Sequence, residues 1–394
     1  MAKSRRADTI LTHAGLNPRG NEGIVNPPVY HASTILFPTL EDMEARALRP
    51  FDGFNYGRSG TPTTRAFENA VAELEGGHRA VAVGSGLAAV TTAISAFVSA
   101  GDHLLVADSV YGPTRAYCDK VLARFGVETT YYDPCIGAGI ERLIRPETRA
   151  VYMESPGSQT FEIQDVPAIA AAARARGVVT MIDNTWATPL FFRPFDHGVD
   201  LSVHAATKYM VGHSDAMMGI VVCRTEELFQ TVKSYANHVG HHAAPDDVYL
   251  AQRGLRSMGA RLRQHQESAL KVARWLEGRP EVARVLHPAL PQHPGHHLWR
   301  RDFAGSSGLF GVVLKPVPKS AVAAMLNGME LFGMGYSWGG FESLITLCHV
   351  ARIRTATRWE DAGPLLRLHV GLEDPDDLIE DLARGFTRLN QSAG

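Results

Sequence analysis

Beyond Thr61 the chain alternates between short, nearly unbroken apolar runs and longer stretches whose apolar positions recur at helical spacing. "RAVAVGSG", "DHLLVAD", "ETTYYD", "TRAVYMESP" and "VVTMIDNTW" have the length and composition of strands. Between them, "LAAVTTAISAFVSAG", "GPTRAYCDKVLARFG" and "VPAIAAAARARG" have the length and spacing of helices. Strands and helices in strict alternation imply a mainly parallel sheet with helices on both faces, an α/β fold. "DLSVHAATK" and "AMMGIVVCR" predict two further strands. "TPTTRAFENAVAELEGG" opens with a Thr cap and Pro62 at the first helical position and stops at a double glycine.

The two ends of the chain read differently. Residues 1–60 are rich in Pro, Gly and Asn ("NPRGNEGIVNPPVYHAST") and predict an irregular N-terminal arm. Such an arm orders only when something holds it, and a neighbouring subunit is one candidate. Residues 61–250 hold the alternating α/β pattern. A long helical stretch, "PDDVYLAQRGLRSMGARLRQHQESALKVARWLEG", leads into a smaller C-terminal α+β domain at 251–394. There "SGLFGVVLK" and "LLRLHVGL" predict strands, and "DPDDLIEDLARGFTRLN" a capped terminal helix.

Composition narrows the class. At 394 residues, 45% hydrophobic and 20% charged, the chain has enough apolar content for a sizeable core. A formal net charge of −2 gives no reason to expect nucleic acid or an anionic membrane as partner. The cysteines Cys118, Cys135, Cys223 and Cys348 form no CxxC pair, so reduced, buried thiols are expected. The basic N-terminus is not followed by an apolar run, and no later stretch is long enough to span a bilayer, so a cytoplasmic protein is expected.

In an open α/β sheet, ligands bind at the carboxyl ends of strands. Four features fall there. In "AVGSGLAAV", Gly84 and Gly86 follow a strand and open a helix, so the Gly86 and Leu87 amides are placed for a phosphate; a tight turn that holds nothing fits about equally well. Asp183 ends the apolar run of "MIDNTW"; it is either a turn-forming cap or the partner of a cationic ring nitrogen. Tyr111 follows "HLLVADSV" and is either rim packing or a ring that stacks on a flat ligand. Lys208 sits among small residues in "HAATKYMVGHSD", beside Thr207. Surface lysine is the default reading, but a desolvated amine has a depressed pKa and is nucleophilic toward an aldehyde. The economical joint solution is a pyridoxal phosphate site.

At these residues the chain resembles the Cys/Met-metabolism family of fold-type-I pyridoxal phosphate enzymes. The resemblance runs from "THAGLNP" to "LARGFTRL" and is carried by "YGRSGTPT", "ELEGG", "GSGLAAV", "ESPGS", "MIDNTWATP", "AATKYMVGHSDAMMG", "YSWGGFESL" and "RLHVGLED", among others. It implies that Lys208 binds the cofactor covalently, Asp183 pairs with the pyridinium and Tyr111 stacks on the ring and assists catalysis. It implies a phosphate site from Gly86, Leu87 and Thr207, with Tyr56 and Arg58 supplied by a neighbouring subunit. Tyr56 would also reach the substrate. Arg367 would grip the substrate carboxylate, with Ser337 and Trp338 lining the pocket. The implied assembly is a homotetramer of dimers with shared sites, and the implied substrate a small sulfur amino acid.

The chain departs from the family pattern at Ala205, where many members carry a phosphate-binding hydroxyl. It also has "SWGG" where members acting at the γ-carbon have "SLGG", and "SPGSQ" where they have an Asn-Pro. Both differences favour β-elimination, with cystathionine yielding homocysteine, pyruvate and ammonia. A γ-lyase, a γ-synthase or sulfhydrylase, and a cysteine desulfhydrase are the alternatives within the family. A nucleotide-dependent dehydrogenase is disfavoured by the lack of GxGxxG. No metal is expected: His238, His241 and His242 lie in a Gly-flanked stretch without matched carboxylates and read as solvent-facing. A non-enzymatic binding protein would keep the fold and lose the lysine.

Overall fold

The computed structural model describes residues 5–393. Its larger sheet has seven strands: β1 (Arg79–Val83), β2 (His103–Ala107), β3 (Glu128–Tyr132), β4 (Thr148–Glu154), β5 (Val179–Asp183), β6 (Leu201–His204) and β7 (Gly219–Cys223). They lie in the order β1-β7-β6-β5-β4-β2-β3. All run parallel except β7, which is antiparallel to both its neighbours. β2 and β7 are buried at every position because helices cover both faces, which is why these strands read as unbroken apolar runs. A smaller antiparallel sheet, ordered β10-β11-β9-β8, consists of β8 (Val282–Leu286), β9 (Leu309–Leu314), β10 (Leu344–Cys348) and β11 (Leu365–His369). One face of it has a core of its own, with Phe310, Val312, Leu366 and Phe386, while Leu286, Leu309, Val313 and Leu365 share a core with Leu105 and Val151 of the large sheet.

Helix Pro62–Glu75 follows its sequence signals closely. The Thr61 hydroxyl accepts from the Thr64 N–H, and Gly76 ends the helix in the left-handed conformation, φ 77°. Helix Pro245–Glu277 runs 33 residues, about 50 Å at 1.5 Å per residue. Its buried Arg261 donates to the carbonyls of Gly254 and Tyr209, both at 2.8 Å, and so binds the helix to the residue after Lys208.

The first 60 residues are less irregular than their composition implies. Ala7–His13 is helical, and Leu11 is buried against the long helix. Arg256 donates to the carbonyls of Leu11 (2.5 Å) and Ala14 (2.9 Å), and Arg263 pairs with Asp8 at 3.0 Å. Leu40–Ala47 forms a second helix with no buried residue. β8 and β10 also go beyond the strands expected from sequence. The four cysteines are free, and Cys135 is exposed rather than buried.

Asp108, just past β2, ties the two halves together. Its carboxylate is fully buried and accepts from Arg115 at 2.5 Å. It also accepts from the backbone N–H groups of Thr355 (3.0 Å), Ala356 (3.1 Å) and Thr357 (2.8 Å). Burial alone would raise its pKa, but the donors from Thr355, Thr357 and Arg115 outweigh burial and lower it. The stabilisation is therefore present above the unfolded carboxylate pKa of about 4 and is lost as pH falls through the lowered folded value. Asp108→Asn keeps the shape but leaves the Arg115 cation uncompensated, so a loss of about 3–5 kcal/mol is expected. Urea unfolding should show a lower midpoint, and limited proteolysis should show earlier cleavage around residues 350–360.

Candidate active site

The parallel strands all end on one edge of the large sheet, and the loops there converge. After β1, Ser85 caps helix Gly86–Ser95 by accepting from the Ala88 N–H at 3.1 Å. The Gly86 and Leu87 amides thus lie in the open first turn of the helix, where the dipole favours an anion. Gly86 has no room for a side chain: a Cβ there would stand 2.4 Å from the Cβ of Ala205. The glycine turn and the segment leading to Lys208 therefore pack backbone to backbone.

Lys208 is half-buried, four residues past the end of β6. Its Nζ donates to Ser337 Oγ at 2.6 Å and stands 5.4 Å from the centre of the Trp338 ring. Desolvation, aided by the Arg367 cation and opposed by Asp183, pushes its pKa down to about 8. Ser337 holds the left-handed conformation, φ 76°, unusual for a residue with a side chain. Arg367 Nη2 donates to the Ser337 carbonyl at 3.0 Å, and the Gly339 N–H donates to Nε2 of the buried His369 at 3.1 Å. A Cβ at Gly339 would come within 3.0 Å of the Cβ of Lys208, so glycine there permits the close approach.

Asp183, at the end of β5, accepts from the Thr185 N–H at 2.9 Å. Burial raises its pKa, with the Thr185 donors, His204 and Lys208 acting in the opposite direction. A carboxyl so placed gains from a cation opposite it. Glu154 of β4 lies beside it in strand register. Burial and the Asp183 charge raise the Glu154 pKa well above the usual carboxylate range. Its Oε2 accepts from the Tyr111 N–H at 2.6 Å. Tyr111 itself is 45% exposed, and burial of its hydroxyl followed by Glu154 and Asp183 raises its pKa.

The structure thus gathers Lys208, Asp183, Tyr111, Ser337, Trp338 and Arg367 at one edge, beside the Gly86–Leu87 turn. Thr207 is adjacent, but its hydroxyl is engaged: it accepts from the Met218 N–H (2.9 Å) and donates to the Met218 carbonyl (3.1 Å). To serve a phosphate it must release that carbonyl. Tyr56 and Arg58 are not joined to this group by any hydrogen bond among the described residues. They line a separate cavity of about 370 Å³ with Tyr30, Thr61 and His242. Arg58 donates to the Asn237 carbonyl at 2.5 Å, and Tyr56 is 46% exposed. Glu154 was not anticipated, although "ESPGS" was visible; a single carboxylate inside a motif does not reveal that its neighbouring strand ends in another.

No group of three or more metal-ligating side chains occurs among the described residues. His241 Nδ1 lies 2.7 Å from the Thr92 hydroxyl, while His238 and His242 are exposed. No helix among the described residues is long and apolar enough to cross a membrane.

Residues 8–387 match the family described as Cys/Met metabolism PLP-dependent enzyme. The chain belongs to that family. The enzyme is 53% identical over 383 residues to a Rhizobium johnstonii protein provisionally named a cystathionine β-lyase, covering 96% of this chain and 95% of the relative. It is 46% identical over 392 residues to the cystathionine β-lyase MetC of Escherichia coli, covering 98% and 99%. Among solved structures it superimposes on a cystathionine γ-synthase from Xanthomonas oryzae pv. oryzae, determined in complex with aminoacrylate and cysteine. That match has a TM-score of 0.91, 32% identity, and coverage of 99% of this chain and 100% of the other.

The family's cofactor is pyridoxal phosphate, and the residues present fit it. A helix N-terminus packed too tightly at Gly86 for any side chain, a carboxyl seeking a cation and an amine with a lowered pKa match phosphate, pyridinium and aldehyde in turn. Only the uncharged amine attacks an aldehyde, so reconstitution of the apoenzyme with pyridoxal phosphate should accelerate as pH rises through about 8. Arg367→Leu removes a cation that lowers the Lys208 pKa. Its rate profile, followed by visible absorbance in stopped flow, should shift to higher pH.

Proposed function

We propose that this enzyme is a carbon–sulfur lyase that cleaves L-cystathionine by β-elimination, giving homocysteine, pyruvate and ammonia. The observation that carries the proposal is the Lys208 amine, lowered to about 8 and held at 2.6 Å from Ser337 Oγ with Arg367 close by. When bound, pyridoxal phosphate supplies an electron sink that makes the substrate α-proton removable.

The chain's own residues supply the rest. Arg367 binds the substrate α-carboxylate through its planar guanidinium. Lys208 would hold the cofactor through Nζ, and the free amine would take the α-proton and deliver it to the departing sulfur. Ser337 Oγ holds that amine on the substrate side. Asp183 would pair with the ring nitrogen, and Tyr111, steadied by Glu154 on its amide, would pack on the ring. The Gly86 and Leu87 amides, with Thr207, bind the phosphate.

Preference for the β-carbon is supported by two relatives named for that reaction at 53% and 46% identity, and by bulky Trp338 in the pocket. The γ-synthase likeness at 32% identity keeps γ-chemistry as the second reading. In this proposal the enzyme serves methionine biosynthesis and works in the cytoplasm. With pyridoxal phosphate and cystathionine, pyruvate and homocysteine should accumulate together; 2-oxobutyrate with cysteine would overturn the β assignment. Lys208→Ala should release neither keto acid.

Tyr56 and Arg58 complete the phosphate site of a neighbouring subunit in this proposal, within a homotetramer of such dimers. The cavity these residues line, to which no residue of the Lys208 cluster contributes, and the exposed apolar residues Ile24, Val25 and Leu36 of the arm favour it. Co-expressed Lys208→Ala and Arg58→Ala chains, each inactive alone, should regain activity when mixed in one oligomer. In a mixed dimer the site built from Lys208 of the Arg58→Ala chain and Arg58 of the Lys208→Ala chain would be whole, and the other site would carry both defects. Absence of complementation in a verified mixed oligomer would show that each site is built from one chain.

A further inference from the structure

The "ELEGG" stretch spans residues 73–77 and closes the helix that opens at Pro62. Its Glu75 ends helix Pro62–Glu75, and its side chain is fully buried (0% exposed). A buried carboxylate is strongly disfavoured unless donors surround it. Three do, all from the two strands that present the reaction centre. Asn184 Nδ2 donates to Oε1 at 2.9 Å, Ser202 Oγ at 2.6 Å and His204 Nε2 at 3.0 Å, with His204 also 3.1 Å from Oε2.

Two of the donors, Asn184 and His204, adjoin the machinery. Asn184 follows Asp183, and its N–H donates to the Val203 carbonyl at 2.9 Å. His204 precedes Ala205, whose N–H donates to Thr185 Oγ1 at 2.9 Å. The Thr185 N–H in turn donates to Asp183 Oδ1 at 2.9 Å. The bonds close a ring that runs from Glu75 through Asn184 and Asp183 to Thr185, then through Ala205 and His204 back to Glu75. Asp183 is one vertex, and Lys208 follows four residues beyond the His204 vertex. His204 Nδ1 is buried without a hydrogen-bond partner, so the imidazole is held through Nε2 alone, at Glu75 and at Ser202 Oγ (3.1 Å).

We propose that Glu75 is a positioning residue for the reaction: through His204 and Asn184 it fixes the Asp183 carboxylate relative to Lys208 and so sets how firmly the cofactor ring is held. The inference rests on the assignment of Asp183 to the ring nitrogen. It needs no contact between Glu75 and the cofactor. Glu75→Gln replaces an acceptor of three donors with a group that brings donors of its own, which opens the ring beside Asp183.

Glu68 supplies the control. It lies two turns earlier on the same helix and is also buried. It accepts from the Ala82 N–H at 3.0 Å, outside the ring. Both Glu75→Gln and Glu68→Gln should lower the urea midpoint of the apoenzyme. Only Glu75→Gln should weaken pyridoxal phosphate binding, by about tenfold or more, the range seen when groups behind metal ligands are lost. It alone should also shift the visible band of the bound cofactor, and Glu75→Asp should restore part of both. An unchanged band and affinity in folded Glu75→Gln would overturn the proposal. Should that variant fail to fold, His204→Leu opens the same ring from the other side. It leaves Glu75 two donors, and unaltered cofactor affinity there would also overturn the proposal. The wild-type protein reports separately on the cofactor: with pyridoxal phosphate added, absence of any visible band would remove the cofactor assignment itself.

Discussion

An amine held partly away from water cannot keep its proton cheaply, and the rest of this active site is arranged around that constraint. Desolvation and the nearby Arg367 cation both bring Lys208 toward its neutral form. Asp183 pulls the other way and moderates the shift. The net result is an amine able to be both nucleophile and base near neutral pH, as the family's chemistry requires. Ser337, in a backbone conformation that side chains seldom adopt, gives that amine a fixed direction.

The constraint reaches into the fold. Lys208 lies on the large sheet's edge, whereas Ser337, Trp338 and Arg367 come from the half of the chain that holds the small sheet. Their approach depends on tethers that cross between the halves. Arg261 fixes the Tyr209 carbonyl, the Gly308 N–H donates to the Tyr209 hydroxyl at 3.0 Å, and Asp108 gathers the N–H groups of residues 355–357. Glycines at 86 and 339 let backbone meet backbone where a side chain would hold the parts apart. The local chemistry and the large-scale packing are in that sense one problem.

Legibility from sequence followed the range of the interactions involved. The strands of the large sheet were readable because burial on both faces makes their apolar runs continuous. The helix Pro62–Glu75 was readable because its cap, proline and glycine act within a few residues. β8 was hidden because "VARVL" carries two exposed positions in five and looks like neither a strand nor a helix face. The helix Ala7–His13 was hidden because its order comes from arginines about 245 positions away. Among the candidate site residues, Asp183 stood out because a carboxylate ends an apolar run, Tyr111 because an aromatic closely follows one, and Lys208 because a cation sits among small residues. Glu154, Glu75 and His204 did not, since their meaning lies in neighbours on other strands.

The sequence by itself determined the alternation of elements and, through many ordered motifs, the family and its cofactor. These follow from local periodicity and from residue types that few other chemistries require. Tertiary structure decided which side chains meet. Ser337 lies on Lys208 across 129 positions of chain, and Glu75 meets His204 across the same separation. Glu154 stands beside Asp183 only because β4 and β5 pair in that register. Hydrogen bonds and charge act over a few ångströms of space whatever the distance along the chain. The shifted acidities at this site therefore belong to the folded molecule.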